Sequence, residues 1–186
     1  MRIHKIKSDN IFFTSDLHFN HFNIIKFCGR PCTNIEEMHE MLIKRWNEKV
    51  PKDGVTYILG DVSWKGADET KCLLDQLNGK KILIIGNHDY TSVIDQCFDE
   101  AYDMLFLQVT DTETGYVTSI HMSHYPLIEW DKMRYGSIHL HGHCHGTMDI
   151  TDKHNSKRMD VGVDSNNWTP LSFNDVKTIL NNKINK

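Results

Sequence analysis

Three short apolar runs punctuate the first half of the chain: NIFFTS (10–15), VTYIL (55–59) and KILII (81–85). Each is rich in β-branched and aromatic residues and each gives way to glycine or polar residues, the pattern of a buried strand. Between the first two, TNIEEMHEMLIKRWNEKV sets Met38, Met41, Leu42, Trp46 and Val50 at helical spacing, with Thr33 and Glu36 as a capping box at its start. Such a stripe is core. Between the second and third, ADETKCLLDQLNG predicts a shorter helix ended by Gly79.

Strand, helix, strand, helix, strand is the order that builds parallel pairs with helices on the sheet faces. After about residue 100 the texture changes. MLFLQVTDTETGYVTSIHMS alternates around Glu113, Thr114 and Gly115 and predicts an antiparallel hairpin, while GSIHLHGH and RMDVGVD predict further strands. Ser172 is placed to cap a last helix, SFNDVKTILNN. The expected fold is α/β, a four-layer-like α/β/β/α sandwich of mixed sheets flanked by helices, in a single domain over residues 1–186.

Composition narrows the function classes. A net charge of −4, from 21 basic and 25 acidic side chains, argues against a protein that grips nucleic acid through its phosphates. Bound cations would change this locally, because two divalent ions add positive charge at one point and draw an anionic substrate. No apolar run is long enough to span a bilayer and MRIHKIKSDN has no apolar stretch of the secretory kind, so a cytoplasmic location without membrane contact is expected. Cys28, Cys32, Cys72, Cys97 and Cys144 form no C-x-x-C pair and read as reduced thiols.

The chemistry lies just past the strands, where ligands bind in open α/β sheets. The first strand runs into Asp16 and His18, the second into Gly60 and Asp61, and the third into Gly86, Asn87, His88 and Asp89. Later, SIHMSHYP delivers His124, and HLHGHCHG, four histidines in eight positions, delivers His143 and His145. One aspartate after a strand is a turn former by default. Packing supplies no reason for polar side chains to recur at equivalent strand ends, and a metal centre does.

In that order D-x-H, G-D, G-N-H-D, H and G-H-x-H resemble the signature of the calcineurin-like metallophosphoesterase superfamily, over roughly residues 10–165. SDLHFNHFNIIKFCGRP, SHYPLIEW and DVGVDSNNWTP also resemble the small single-domain phosphoesterases of bacteria and their phages. The resemblance implies a metal-dependent phosphohydrolase cleaving phosphomonoesters or phosphodiesters of a small molecule or nucleotide. It implies one metal held by Asp16, His18, Asp61 and His145, and a second held by Asn87, His124 and His143 with Asp61 bridging. Donors of this kind suit Mn, Fe, Zn or Ni, and also Mg, without choosing among them. The implied nucleophile is a hydroxide shared by the two ions, with His88 protonating the leaving group and Asp89 orienting His88.

Other residues are less distinctive. Arg30 is placed to meet phosphate oxygens, with Asn87 as a second substrate contact, whereas Asn20, His21 and Asn23 read as loop hydrogen bonders. Alternation turns Cys144 towards the interior, and His139 and His141 read as structural support, with His141 in reach of holding a ligand by its ring N–H. Tyr125, Trp130, Tyr135 and Trp168 are core by default, a nucleobase contact at a rim being the alternative. Two rival readings of the whole are a catalytically weak binding module on the same fold and a one-metal site, either a mononuclear hydrolase or purely structural.

Overall fold

A computed structural model describes residues 3–148 and 157–184. The fold is α/β, with two mixed sheets flanked by helices. One sheet has the order β10-β2-β3-β4-β5, built from β2 (Ile11–Thr14), β3 (Val55–Ile58), β4 (Lys80–Ile84), β5 (Ala101–Tyr102) and β10 (Leu171–Ser172). Its pairs are parallel except β10 with β2. The other has the order β1-β6-β7-β8-β9, from β1 (Ile3–Lys7), β6 (Met104–Thr110), β7 (Val117–Ser123), β8 (Ile138–His141) and β9 (Arg158–Asp160), with only β6 and β7 antiparallel.

The apolar runs do what their composition requires. All four residues of β2 are buried, because this strand is covered on both faces. Phe13, Tyr57, Leu59, Ile82 and Ile84 meet Leu105, Leu107, Ile120, Met122 and Leu140 from the other sheet, forming the core between the two. Phe12, Ile58 and Leu83 face the opposite way, against helices α1 (Phe22–Phe27), α2 (Ile35–Lys49), α3 (Ala67–Leu74) and α4 (Thr91–Cys97). The stripe Met38, Leu42, Trp46 is buried there as its spacing requires, with Val50 just past the helix.

Helices α1 to α4 cover the outer face of the first sheet. A last helix, α5 (Phe173–Ile184), places Phe173, Val176 and Leu180 in the inter-sheet core. Across β7 to β9 the second sheet is covered by the connection 124–137, where His139 Nε2 accepts from Leu127 N at 2.9 Å and the Trp130 ring lies 5.2 Å from the His139 ring. No helix among the described residues is long and apolar enough to cross a membrane.

Several expectations shift. The α2 cap stands one residue later than Thr33 and Glu36: Asn34 accepts from Glu37 N, and the Glu37 carboxylate accepts from Thr33 N and Oγ1. Asparagine is the better N-cap and Glu37 is the acid three residues on. Helix α3 stops at Leu74, so Gly79 belongs to the turn into β4; its φ is +78° and a Cβ there would lie 2.5 Å from the Gly54 carbonyl oxygen. Ser172 caps α5 as expected, its Oγ accepting from Asp175 N, and the Asp175 carboxylate accepts in return from Ser172 N and Oγ. Strand β1 escaped notice because IHKIK alternates exposed and half-buried positions at a sheet edge.

Candidate metal centre

Past the strand ends of the first sheet the loops go on pairing. Asp16 N donates to Gly60 O, His18 N to Asp61 O and Phe19 N to Val62 O, at 3.0, 3.0 and 2.9 Å. This extension brings Asp16 and Asp61 together. It also requires unusual backbone: Asp16, His18, Asp61, His143 and His145 all have φ between +46° and +69°, a region non-glycine residues seldom occupy. Strain shared by so many candidate ligands is the mark of a functional site. Gly60 is needed for closeness, since a Cβ there would stand 2.5 Å from His124 Nδ1 and 2.6 Å from Gly86 Cα.

Three groups of donors result among the described residues, each with atoms within 4.8 Å of one another: Asp16, His18 and His145, then Asp16, Asp61 and His124, and lastly Cys28, His145 and Asp164. Asp16 is common to the first two, and Asp61 reaches towards both, its Oδ2 lying 3.6 Å from His18 Nε2 and its Oδ1 3.5 Å from His124 Nε2. Asn87 joins the second group, its Oδ1 lying 2.9 Å from His124 Nε2. His143 is less engaged: its N donates to the Asp16 carboxylate at 3.0 Å, and its ring is exposed, packed on His124 and Tyr125.

The residues fit divalent cations on three observations. Both ring nitrogens of His18 are buried without a hydrogen-bond partner. Asp16 and Asp61 are fully or almost fully buried side by side, and burial pushes the Asp16 carboxyl up to about 8, His145 opposing and Asp160 and Asp61 adding to the rise. His124 Nδ1 lies 2.7 Å from the Leu59 carbonyl, which makes it the donor and leaves an Nε2 lone pair facing Asn87 Oδ1 and, at 3.5 Å, Asp61 Oδ1. A cation reconciles acceptors that face each other in this way.

Charge elsewhere in the site is arranged just as firmly. Burial lowers His18 to about 2, helped by Arg30 and the neighbouring histidines. For His145 burial opposes the proton, but the Asp164 hydrogen bond, Cys28 and Asp16 outweigh it and hold the ring up to about 10. Asp164 resists burial through His145 and Arg30 and is held down to about 2.

Arg30 departs from its expected role. Its side chain is inaccessible, and its Nε and terminal nitrogens donate to both Asp164 oxygens and to the Leu17 and Asp16 carbonyls. A guanidinium this fully bonded has nothing left for a substrate phosphate. Asp89 departs too. Its carboxylate accepts from the backbone N–H of Asp61, Val62 and Gly86, so it holds the loop carrying His88 rather than the His88 ring. His88 N donates to Asp61 Oδ1 at 2.9 Å, and its ring stands 4.5 Å from the Trp64 ring and 5.9 Å from the His18 ring. Asn87 is exposed beside it.

His139 and His141 are buried in β8 with rings stacked at 5.6 Å, a supporting role as expected. Trp130 is buried and Trp168 half-buried under Arg45, but Tyr125 and Tyr135 are exposed, against the expectation of core. Sequence reasoning missed Asp164 and Trp64. For Asp164 a signal existed: in DVGVD a second acid follows strand β9, as the site aspartates follow theirs. Cys144 is half-buried and outside the donor groups found among the described residues, while Cys28 Sγ lies 3.4 Å from His145 Nδ1.

Comparisons with known proteins agree in kind. The model of the calcineurin-like phosphoesterase family matches residues 10–180. An uncharacterised protein of Methanocaldococcus jannaschii is 35% identical over 186 residues, covering 94% of this chain and 93% of its own length. The gene 66 protein of Mycobacterium phage L5 is 29% identical over 202 residues, covering 95% and 96%. A crystal structure of a protein of unknown function from Aquifex aeolicus superposes with a TM-score of 0.70 over 91% of this chain and 98% of that one; at 24% identity it speaks for the fold.

Proposed function

Because the chain belongs to the calcineurin-like phosphoesterase family, whose members are hydrolases acting on phosphoesters, we propose that it hydrolyses phosphate mono- or diesters with two divalent cations, Mn, Fe, Zn or Ni, held in this site. The observation that carries the reading is the convergence of Asp16, Asp61, His18, His124 and His145 at the carboxyl ends of separate strands. Asp16, His18, Asp61 and His145 would hold one cation, and Asn87, His124 and His143, with Asp61, the other. Such ions supply Lewis acidity towards phosphate oxygens and lower the pKa of water.

The protein's own groups do the rest. Asp89 gathers three backbone N–H groups, which fixes the turn that presents His88. Asp61 holds the His88 backbone, and Trp64 packs against its ring, so that the imidazole reaches the leaving oxygen with a proton. A water oxygen bonds to phosphorus as the ester P–O bond breaks and His88 gives its proton to the leaving oxygen, so that water and ester become phosphate, or a phosphate monoester, and a neutral alcohol. The substrate is a phosphorylated small molecule or a nucleotide. All five cysteines are free, which supports a cytoplasmic location.

The test is metal counting by mass spectrometry joined to turnover of aryl phosphate mono- and diesters with Mn, Ni, Zn or Mg added. Near two equivalents of metal and metal-dependent release of phosphate or alcohol are expected. Two bound ions with no hydrolysis of any ester would point to the binding-module reading, and a single tightly held ion to a structural site.

A further inference from the structure

A cleft opens where β7 and β8 begin, at the ends of these strands opposite to the metal centre. Val117 of β7, Ile138 of β8 and Leu180 of α5 line it together with Lys132, Lys157 and Lys177, and its volume is about 240 Å³. Strand β7 has seven residues, and at about 3.3 Å a residue it holds Val117 roughly 20 Å from His124. The cleft is therefore no part of the site already described.

Charge sets it apart. The chain carries a net charge of −4, yet no carboxylate among the described residues lines the cleft. Lys177 is answered from outside the lining, its Nζ donating to Asp111 Oδ2 at 2.7 Å. The ammonium groups of Lys132 and Lys157 have no ion pair or hydrogen bond among the described residues. Lys157 is half-buried, with Nζ 3.6 Å from where a Cβ on Gly136 would stand. Lys132 sits at φ +58° in a tight turn, its carbonyl accepting from Tyr135 N at 2.8 Å and from Ser137 N at 3.1 Å. Two unanswered cations on one cleft repel each other, and an anion bound by both relieves that repulsion.

We propose that this cleft is a second ligand site, in which Lys132 and Lys157 hold a phosphate dianion, free or carried on a small organic body. The inference is independent of the hydrolytic reading. Ammonium groups take phosphate as point charges, whereas a site for a carboxylate favours the planar fork of arginine, and no arginine among the described residues lines the cleft. The volume falls below the roughly 300 Å³ at which sites for drug-sized ligands begin, which suits a phosphate with little attached to it. Free phosphate and a small phosphate monoester present the same dianion, and the experiment separates them.

The test is amide chemical-shift mapping of the whole protein in magnesium buffer at constant ionic strength, with inorganic phosphate and with phenylphosphonate, whose C–P bond is not an ester. Saturable shifts at Ser119, Gly136 and Ser137 are expected, whether or not Gly60 and Gly86 at the metal centre also respond. The double variant Lys132→Gln/Lys157→Gln is expected to weaken binding at the cleft about tenfold or more and to leave any response of Gly60 and Gly86 as it was. Tighter binding of phenylphosphonate supports the inference with an organic phosphate as the ligand, and equal or weaker binding supports it with free phosphate. Shifts confined to the metal centre overturn it. So do equal shifts at the cleft with chloride, which would mark unspecific attraction, and so does a double variant that binds as the parent does. Should the double variant fail to fold, Lys132→Gln alone, a change to an exposed side chain, decides by the same comparison.

Discussion

Asp164 takes both arms of the Arg30 fork, from Nε at 2.8 Å and from a terminal nitrogen at 3.0 Å, and with the same carboxylate accepts His145 Nδ1 at 2.8 Å. One buried ion pair thereby ties the loop that carries Asp16 and His18 to the loop that carries His145. Arg30 completes the tie by holding the Asp16 and Leu17 carbonyls.

Arg30→Ala is therefore expected to act on stability. Removing one partner of a buried pair leaves Asp164 charged and two carbonyls unpaired, a cost of about 3 to 5 kcal/mol. Urea denaturation of the metal-free variant measures it. A variant as stable as the parent but with a raised KM for every phosphate ester would restore Arg30 to the substrate.

Asp164→Ala is expected to act on metal. Without the carboxylate the His145 ring loses its orientation and its partner at Nδ1, and loss of such a support typically costs about 10- to 100-fold in metal affinity. Competition with a chelator reads this directly. Asp164→Glu should recover part of the loss, and an unchanged affinity in Asp164→Ala would sever the link to His145.

His88→Ala should keep its metal, because His88 belongs to none of the three donor groups found among the described residues. It should slow esters with poor leaving groups by about 100-fold or more and spare those with good ones, since only the former need a proton. Metal loss with uniform slowing would remove His88 from the acid role.

Gly60→Ala tests the packing of the loops. At φ +90° and with a Cβ 2.5 Å from His124 Nδ1, alanine is excluded on two counts. A loss of about 2 kcal/mol or more is expected, read as a lower melting temperature. A melting curve matching the parent's would mean that the strand ends yield easily.

Stability should also fall on mild acidification through His139. Burial pushes its ring down to about 3, the bond to the His121 carbonyl opposing and His141 and Arg158 adding to the effect. In the unfolded chain the ring titrates near pH 6.5. Between those values the unfolded state binds the extra proton, so stability present above about pH 6.5 is lost as pH drops towards 3, at no more than about 1.4 kcal/mol per pH unit for this group. Denaturation curves from pH 7 to pH 4 should be flatter for His139→Gln than for the parent, and identical slopes would exclude His139 as a contributor.

Strand identity and the ligand-bearing turns were legible because both are local. A run such as IFFT has no stable place except between two apolar layers, and the polar residues that follow Thr14, Ile58 and Ile84 therefore mark one edge of one sheet. Partnership was decided by the tertiary structure. Arg30 and Asp164 are 134 positions apart, and nothing short of the packed loops distinguishes an arginine aimed at substrate from one aimed inward. Asp89 likewise reads as a partner for the adjacent His88 until the backbone of Asp61, Val62 and Gly86 closes around it. Local chemistry determines which side chains arrive at the sheet edge; the desolvation of buried charge, which must be answered by whatever donor the fold brings near, determines what each one does there.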